Sequence, residues 1–187
     1  MYRRLIKSML VILFIIGIYS GGGPVEAKVK LVSDTPLSER LYEIVLDSPA
    51  LGKQTSLRVL LPKGYEDSKE TYPVLYLLHG CCGDYKAWTA RTDIEQVTED
   101  LPLIVVMPDA GRGASYSDWY NQGAYGPPEW EKYHINELIP WVEQQYKAKG
   151  TREGRAVAGL SMGGFGAMSY AARHPDLFVA AASFSGV

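Results

Sequence analysis

Gly159-Leu160-Ser161-Met162-Gly163 sets a serine between glycines, with an apolar run before it and an alanine-rich helical pattern after it. Strand, tight turn and helix around a G-x-S-x-G core form the arrangement of a nucleophile elbow. Flanking side chains would collide in so tight a turn, which accounts for Gly159, Gly163 and Gly164. Ser161 is therefore the candidate nucleophile, expected on a strained backbone above a sheet. The amide dipoles of the next helix would favour negative charge developing there. The bland alternative is a packing turn after a sheet strand. A serine hydroxyl attacks a carbonyl only when a histidine takes its proton and a carboxylate orients that histidine.

A second stretch has the composition such a site needs. Leu77-Leu78-His79-Gly80-Cys81-Cys82-Gly83 follows an apolar run and leads on to Trp88. In this arrangement the loop after that strand lends one backbone N–H to an oxyanion hole, and the residue after the serine lends the other. The two donors expected are the amides of Cys81 and Met162. Small residues let the main chain approach the substrate carbonyl. Cys81 and Cys82 are adjacent, so they staple no framework. No histidine or second cysteine pair has zinc-like spacing around them. Nothing nearby would activate a Cys81 thiol, and the pair reads as small residues of a tight loop.

The acid and base are harder to find. Along the chain the triad order is Ser, then Asp or Glu, then His. After Ser161 only His174 and Asp176 remain, at the end of a helix that leads away from the site. His79 lies in the oxyanion loop, where it would fix the loop, and His134 reads as a surface residue on the polar lead of a helix. Asp109 and Asp118 precede the serine. No triad acid or base is assigned in this chain. Tyr116, Trp119, Tyr120, Tyr125 and Trp130 crowd one loop, and would either line an acyl or sugar pocket or simply pack.

The elements that must hold these residues follow from periodicity. Residues 28–40 are polar and turn-rich and read as an irregular lead-in. Runs at 41–47 and 55–61, split by Pro49 and Gly52, read as a hairpin. Residues 72–78 and 103–107 are apolar throughout, as strands buried on both faces of a parallel sheet are. Helical patterns cover 93–100, 129–147 and 163–173, and short strands cover 155–158 and 178–184. Strands alternating with helices indicate the α/β class, with a mostly parallel sheet and one domain over 28–187.

Composition narrows the partners. The chain has 187 residues and a formal charge of -2, with no basic stripe beyond its N-terminus, so nucleic acid is not an expected partner. Arg3, Arg4 and Lys7 precede an apolar run at 9–19, then Gly21-Gly22-Gly23-Pro24 and Val25-Glu26-Ala27. This is the pattern of a signal peptide cut after Ala27, which makes the mature protein secreted or periplasmic. The run is too short to span a bilayer, which takes about 20 apolar residues; an uncleaved anchor is the rival. No metal or organic cofactor is expected.

Residues 42–187 resemble the secreted branch of the esterase D family of α/β-hydrolases. That family includes tributyrin-type and feruloyl esterases and the mycolyltransferases of the antigen 85 complex. The resemblance rests on Tyr72-Pro73-Val74-Leu75-Tyr76-Leu77-Leu78-His79-Gly80, Val106-Met107-Pro108-Asp109, Tyr116-Ser117-Asp118-Trp119 and the "GLSMGGFGAM" elbow. Glu137-Leu138-Ile139-Pro140 and Arg173-His174-Pro175-Asp176-Leu177-Phe178 also match. It implies an α/β-hydrolase fold and a Ser-Asp-His triad acting on carboxylic esters, often acyl groups on sugars. In the family the "RHPD" residues are structural, so the chain reads as the front two-thirds of a longer enzyme. It would lack the last strands and be inactive as it stands. The expected function is hydrolysis of a small-molecule or carbohydrate ester through an acyl-enzyme. The alternatives are acyl transfer to a sugar and a non-catalytic exported remnant or binding module.

Overall fold

The computed structural model describes residues 28–120 and 129–186 of the 187. The signal-peptide reading and Tyr125 fall outside the described residues. Seven strands form one sheet in the order β1-β2-β3-β5-β4-β6-β7. β2 (Leu41–Ser48) and β3 (Lys53–Leu60) are the expected hairpin, paired from Leu41↔Leu60 to Ser48↔Lys53. β3 runs antiparallel to β5 (Ile104–Pro108). From there β4 (Val74–Leu78), β6 (Arg155–Leu160) and β7 (Ala180–Phe184) continue in parallel. The sheet is thus mixed, antiparallel on the hairpin side and parallel on the side that carries the elbow.

One expectation needs correction. Residues 28–40 are not an irregular lead-in, because β1 (Lys30–Pro36) pairs antiparallel with β2, with a bulge between Leu31 and Ser33. Every residue of β1 is exposed, so the strand has no buried face and therefore no alternating pattern to read. Main-chain hydrogen bonds to β2 hold it at the sheet edge.

Burial on both faces explains the continuous apolar runs. All five residues of β5 are buried, and neighbours alternate sides. Val106, Leu78 and Val59 join a large core on one face, while Val105, Leu77 and Leu60 join a smaller one on the other. The larger core is roofed by α5 (Met162–Arg173) and by a long helix. That helix opens as α3 (Trp130–Lys132), passes through a π-helical stretch (Tyr133–Leu138) and ends as α4 (Ile139–Gln145). Pro140 lies two residues past the π-helical stretch, where it offers no N–H and its ring crowds the preceding turn. The smaller core is covered by α1 (Ala87–Arg91) and α2 (Ile94–Val97), through Trp88 and Ile94. Among the described residues no helix is long and apolar enough to cross a membrane.

Candidate active site

Ser161 stands between the end of β6 and the start of α5, at φ 54° and ψ -118°. A non-glycine residue with positive φ costs on the order of 1–3 kcal/mol and persists only where its surroundings impose it. Here they do. A methyl group on Gly159 would lie 2.3 Å from the Gly163 carbonyl carbon, and one on Gly163 would lie 2.3 Å from Leu78 O. The strand, the helix and β4 therefore touch main chain to main chain, and only glycine fits either position. The Ser161 N–H donates to Phe184 O at 2.8 Å, and Phe165 N–H donates to Ser161 O at 3.0 Å. The elbow is held from both sides.

The oxyanion loop lies against it. A methyl on Gly80 would sit 3.6 Å from Ser161 Cβ and 3.3 Å from Leu160 O, so this backbone passes directly beside the serine. His79 is fully buried and fixes the loop, as expected from its place in the sequence. Its Nδ1 lies 2.8 Å from Gly80 O, and its Nε2 receives Ala110 N–H at 3.2 Å. Its backbone carbonyl accepts the Tyr116 hydroxyl at 2.9 Å. Gly83 N–H closes the turn onto Gly80 O at 3.3 Å. Among the backbone hydrogen bonds of the described turns, neither Cys81 N–H nor Met162 N–H is engaged by a carbonyl. Both cysteines are free thiols and exposed. The hydrogen bond between the two thiols pushes Cys81 up, away from the range of an activated nucleophile.

A cavity of about 190 Å³ opens at this point, lined by His79, Gly80, Cys81, Trp88, Arg91 and Ser161 among others. Trp88 and Arg91 belong to α1, which sequence reading did not single out. Its five residues are too short for a periodic signal, and only its place just after the oxyanion loop marks it.

His174 and His134 each pair with residues other than Ser161. His174 Nε2 pairs with Glu131 Oε1 at 2.7 Å, beyond the far end of α5. Twelve helical residues put that end about 18 Å from the serine. Asp176 is exposed beside it. His134 is not a surface residue: it is buried, with Nδ1 2.8 Å from Tyr170 Oη and Nε2 2.9 Å from Asp109 O. Burial pushes its pKa down to about 4, so it is a neutral core histidine. Among the described residues no side chain is hydrogen-bonded to Ser161 Oγ.

The two earlier carboxylates have local work. Burial opposes the charge on Asp109, but the His79 ring and the amides of Gly111 and Ala110 more than offset it and hold the carboxyl below its ordinary range. Asp118 Oδ1 accepts Glu131 N–H at 2.9 Å and Lys132 N–H at 3.2 Å, which caps α3. Burial raises its pKa in spite of those amides. The aromatic group divides. Tyr116 and Trp130 are fully buried core, Trp119 is part-buried with its indole N–H on Ala114 O, and Tyr120 is exposed. None of the four lines the cavity at Ser161.

Residues 48–187 match the family described as "Putative esterase". Esterase Rv1288 of Mycobacterium tuberculosis (strain ATCC 25618 / H37Rv) is 40% identical over 158 residues, covering 84% of this chain and 34% of the relative. The diacylglycerol acyltransferase/mycolyltransferase Ag85B of Mycobacterium leprae (strain TN) is 37% identical over 146 residues, covering 75% of this chain and 42% of its own length. A solved ferulic acid esterase superposes with a TM-score of 0.66 at 33% identity, over 85% of this chain and 59% of that one. The chain thus spans about a third to two-fifths of the length of these curated relatives. With the elbow, the glycine-lined loop beside it and the mixed sheet beneath, the chain belongs to this esterase family and has the α/β-hydrolase fold.

Proposed function

We propose that this chain carries the nucleophile and oxyanion portion of a serine carboxylic-ester hydrolase. The observation that supports this best is Ser161 held at positive φ beside the Gly80–Cys81 backbone, at the mouth of a cavity. In this reading Ser161 Oγ attacks the ester carbonyl, and the N–H groups of Cys81 and Met162 receive the negative charge on the carbonyl oxygen. The alcohol leaves, an acyl-enzyme forms on Ser161, and water releases the acid. The substrate is a small-molecule or carbohydrate ester bound against Trp88 and Arg91. Residues 1–27 act as a signal peptide, and 28–187 form the hydrolase domain of an exported protein.

Both steps need a proton acceptor. His79, His134 and His174 are each committed to other partners, so the 187-residue chain alone works at trace rate. In serine proteases, losing a triad member costs roughly 10⁴ to 10⁶ in turnover. The test is a side-by-side rate measurement with p-nitrophenyl butyrate on the chain and its Ser161→Ala and His174→Ala variants. Slow fluorophosphonate capture mapped by mass spectrometry accompanies it. Expected are trace turnover and an adduct on Ser161 alone. Robust turnover abolished by His174→Ala would overturn the incomplete triad, and an adduct elsewhere would overturn Ser161 as nucleophile.

The similarity to Ag85B, whose name includes acyltransferase, favours a second reading on the same residues. Here a sugar hydroxyl, rather than water, would take the acyl group. A product assay with a sugar acceptor present separates the two, because transfer yields a new ester and hydrolysis yields free acid.

A further inference from the structure

Cys81 and Cys82 occupy the two central positions of the turn closed by Gly83 N–H on Gly80 O. In an extended chain successive side chains point to opposite faces. Cys82 instead has φ 65°, a left-handed conformation that glycine or asparagine adopts far more readily. Here the two sulfurs lie 2.9 Å apart, both exposed, with Cys81 in the wall of the cavity at Ser161. A thiol at a strained position, in contact with a second thiol, is a costly way to build a tight loop if small size were all that counted. The bland reading of the pair leaves this contact unexplained.

We propose that Cys81 and Cys82 are a vicinal dithiol that an external organic disulfide closes into a ring, and that closure turns the Cys81 amide away from the oxyanion position. The second half rests on the esterase reading. One cysteine thiolate attacks the external disulfide, forming a mixed disulfide and expelling one thiolate, which takes a proton. The other cysteine, its proton lost to solvent, attacks the protein sulfur of that mixed bond and expels the second thiolate. Two cysteine thiols are oxidised and one disulfide is reduced to two thiols. A small dithiol reverses both steps.

The coupling to the site is geometric. Consecutive Cα atoms are about 3.8 Å apart across a trans peptide, whereas disulfides ordinarily join Cα atoms about 4.4–6.8 Å apart. The ring contains the Cys81–Cys82 peptide itself, so closing it must rotate that peptide and the Cys81 torsions beside it. Gly80 can shift little toward the elbow, since even a methyl on it would already touch Leu160 O at 3.3 Å and Ser161 Cβ at 3.6 Å. The displacement falls on Cys81. Strained, exposed disulfides of this sort are the readily reduced, regulatory ones.

The test uses the native 187-residue chain treated with 4,4′-dithiodipyridine. Expected are two equivalents of released thiopyridone and an intact mass lighter by two hydrogens. Cys82→Ser should release one equivalent and keep a stable adduct on Cys81. Two lasting adducts per native chain, or no reaction, would overturn ring closure. In parallel, fluorophosphonate capture at Ser161 is timed before and after oxidation. Loss of an oxyanion donor costs roughly 10²- to 10³-fold, so in the ring-closed chain, which carries no adduct to block the cavity, capture should slow on that order and recover with dithiothreitol. Ring closure with unaltered capture would overturn the coupling. Absence of Ser161 capture in both states would overturn the esterase reading and the coupling with it, while ring closure stands or falls on the mass.

Discussion

His134 shows how a single residue's setting decides its chemistry. It is enclosed by Tyr116, Trp130, Tyr133 and Tyr170 rings, and its two nitrogens meet Tyr170 Oη and Asp109 O. The ordinary histidine value is 6.5, and burial lowers it here to about 4. Between those values the unfolded chain takes up a proton that the folded chain refuses. Stability is therefore whole above about 6.5 and falls as the pH drops toward 4. The interval of 6.5 to about 4 amounts to on the order of 3 kcal/mol. Urea unfolding at a series of pH values should show this loss, and His134→Phe should flatten it whatever its absolute stability. An unchanged slope in the variant would show that other groups carry the effect. Asp109, whose carboxyl lies below its ordinary range, adds acid lability only at still lower pH, as its stabilising charge is neutralised.

Legibility at this scale depended on whether function or packing imposed the residue types. Ser161 stood out because main-chain contact permits only glycine on either side of it, and such a constraint is local in sequence. His134 did not, because its partners Asp109 and Tyr170 lie 25 and 36 residues away. The π-helical turn adds to the difficulty. Five of its six residues are buried, His134 among them, which an amphipathic helical pattern does not anticipate.

At the scale of elements, buried strands were readable and the edge strand was not. β4 and β5 are apolar because both faces are covered, whereas β1 is held by main-chain bonds alone. Between elements one carboxylate does much of the fastening. Glu137 is buried in the π-helical stretch and accepts Ser48 Oγ at 2.6 Å and Ala50 N–H at 2.8 Å. It ties the β2–β3 turn to the helix on the sheet's larger face. Removing it leaves two buried donors unpaired, at about 1–3 kcal/mol each. Glu137→Leu should therefore destabilise by about 2–5 kcal/mol. Glu137→Gln, which keeps one acceptor, should cost less. Chemical denaturation of the three proteins checks the order, and equal losses for Gln and Leu would show that volume rather than hydrogen bonding is at stake.

For the molecule as a whole, the two edges of the sheet differ in how much apolar surface surrounds them. The β1 edge is mixed, with Lys30, Ser33, Asp34 and Thr35 exposed along it beside Leu31 and Val32. At the other edge β7 has β6 as its one neighbour in the described sheet, and its residues are mostly exposed. Val179, Phe184, Leu160, Phe165 and Met168 are each 40–57% exposed around it. Unpaired strand edges and contiguous apolar surface favour association. The 187-residue chain should self-associate, with a mass in light scattering that rises with concentration. Phe165 and Met168 lie on the outer side of α5, so Phe165→Lys with Met168→Glu should leave folding nearly unaltered, as exposed substitutions usually do. Burying either side chain at an interface is worth about 1.5–3 kcal/mol, so the pair of changes should weaken association by at least about tenfold. A native chain that stays monomeric up to roughly 100 μM would show that this surface tolerates water unaided.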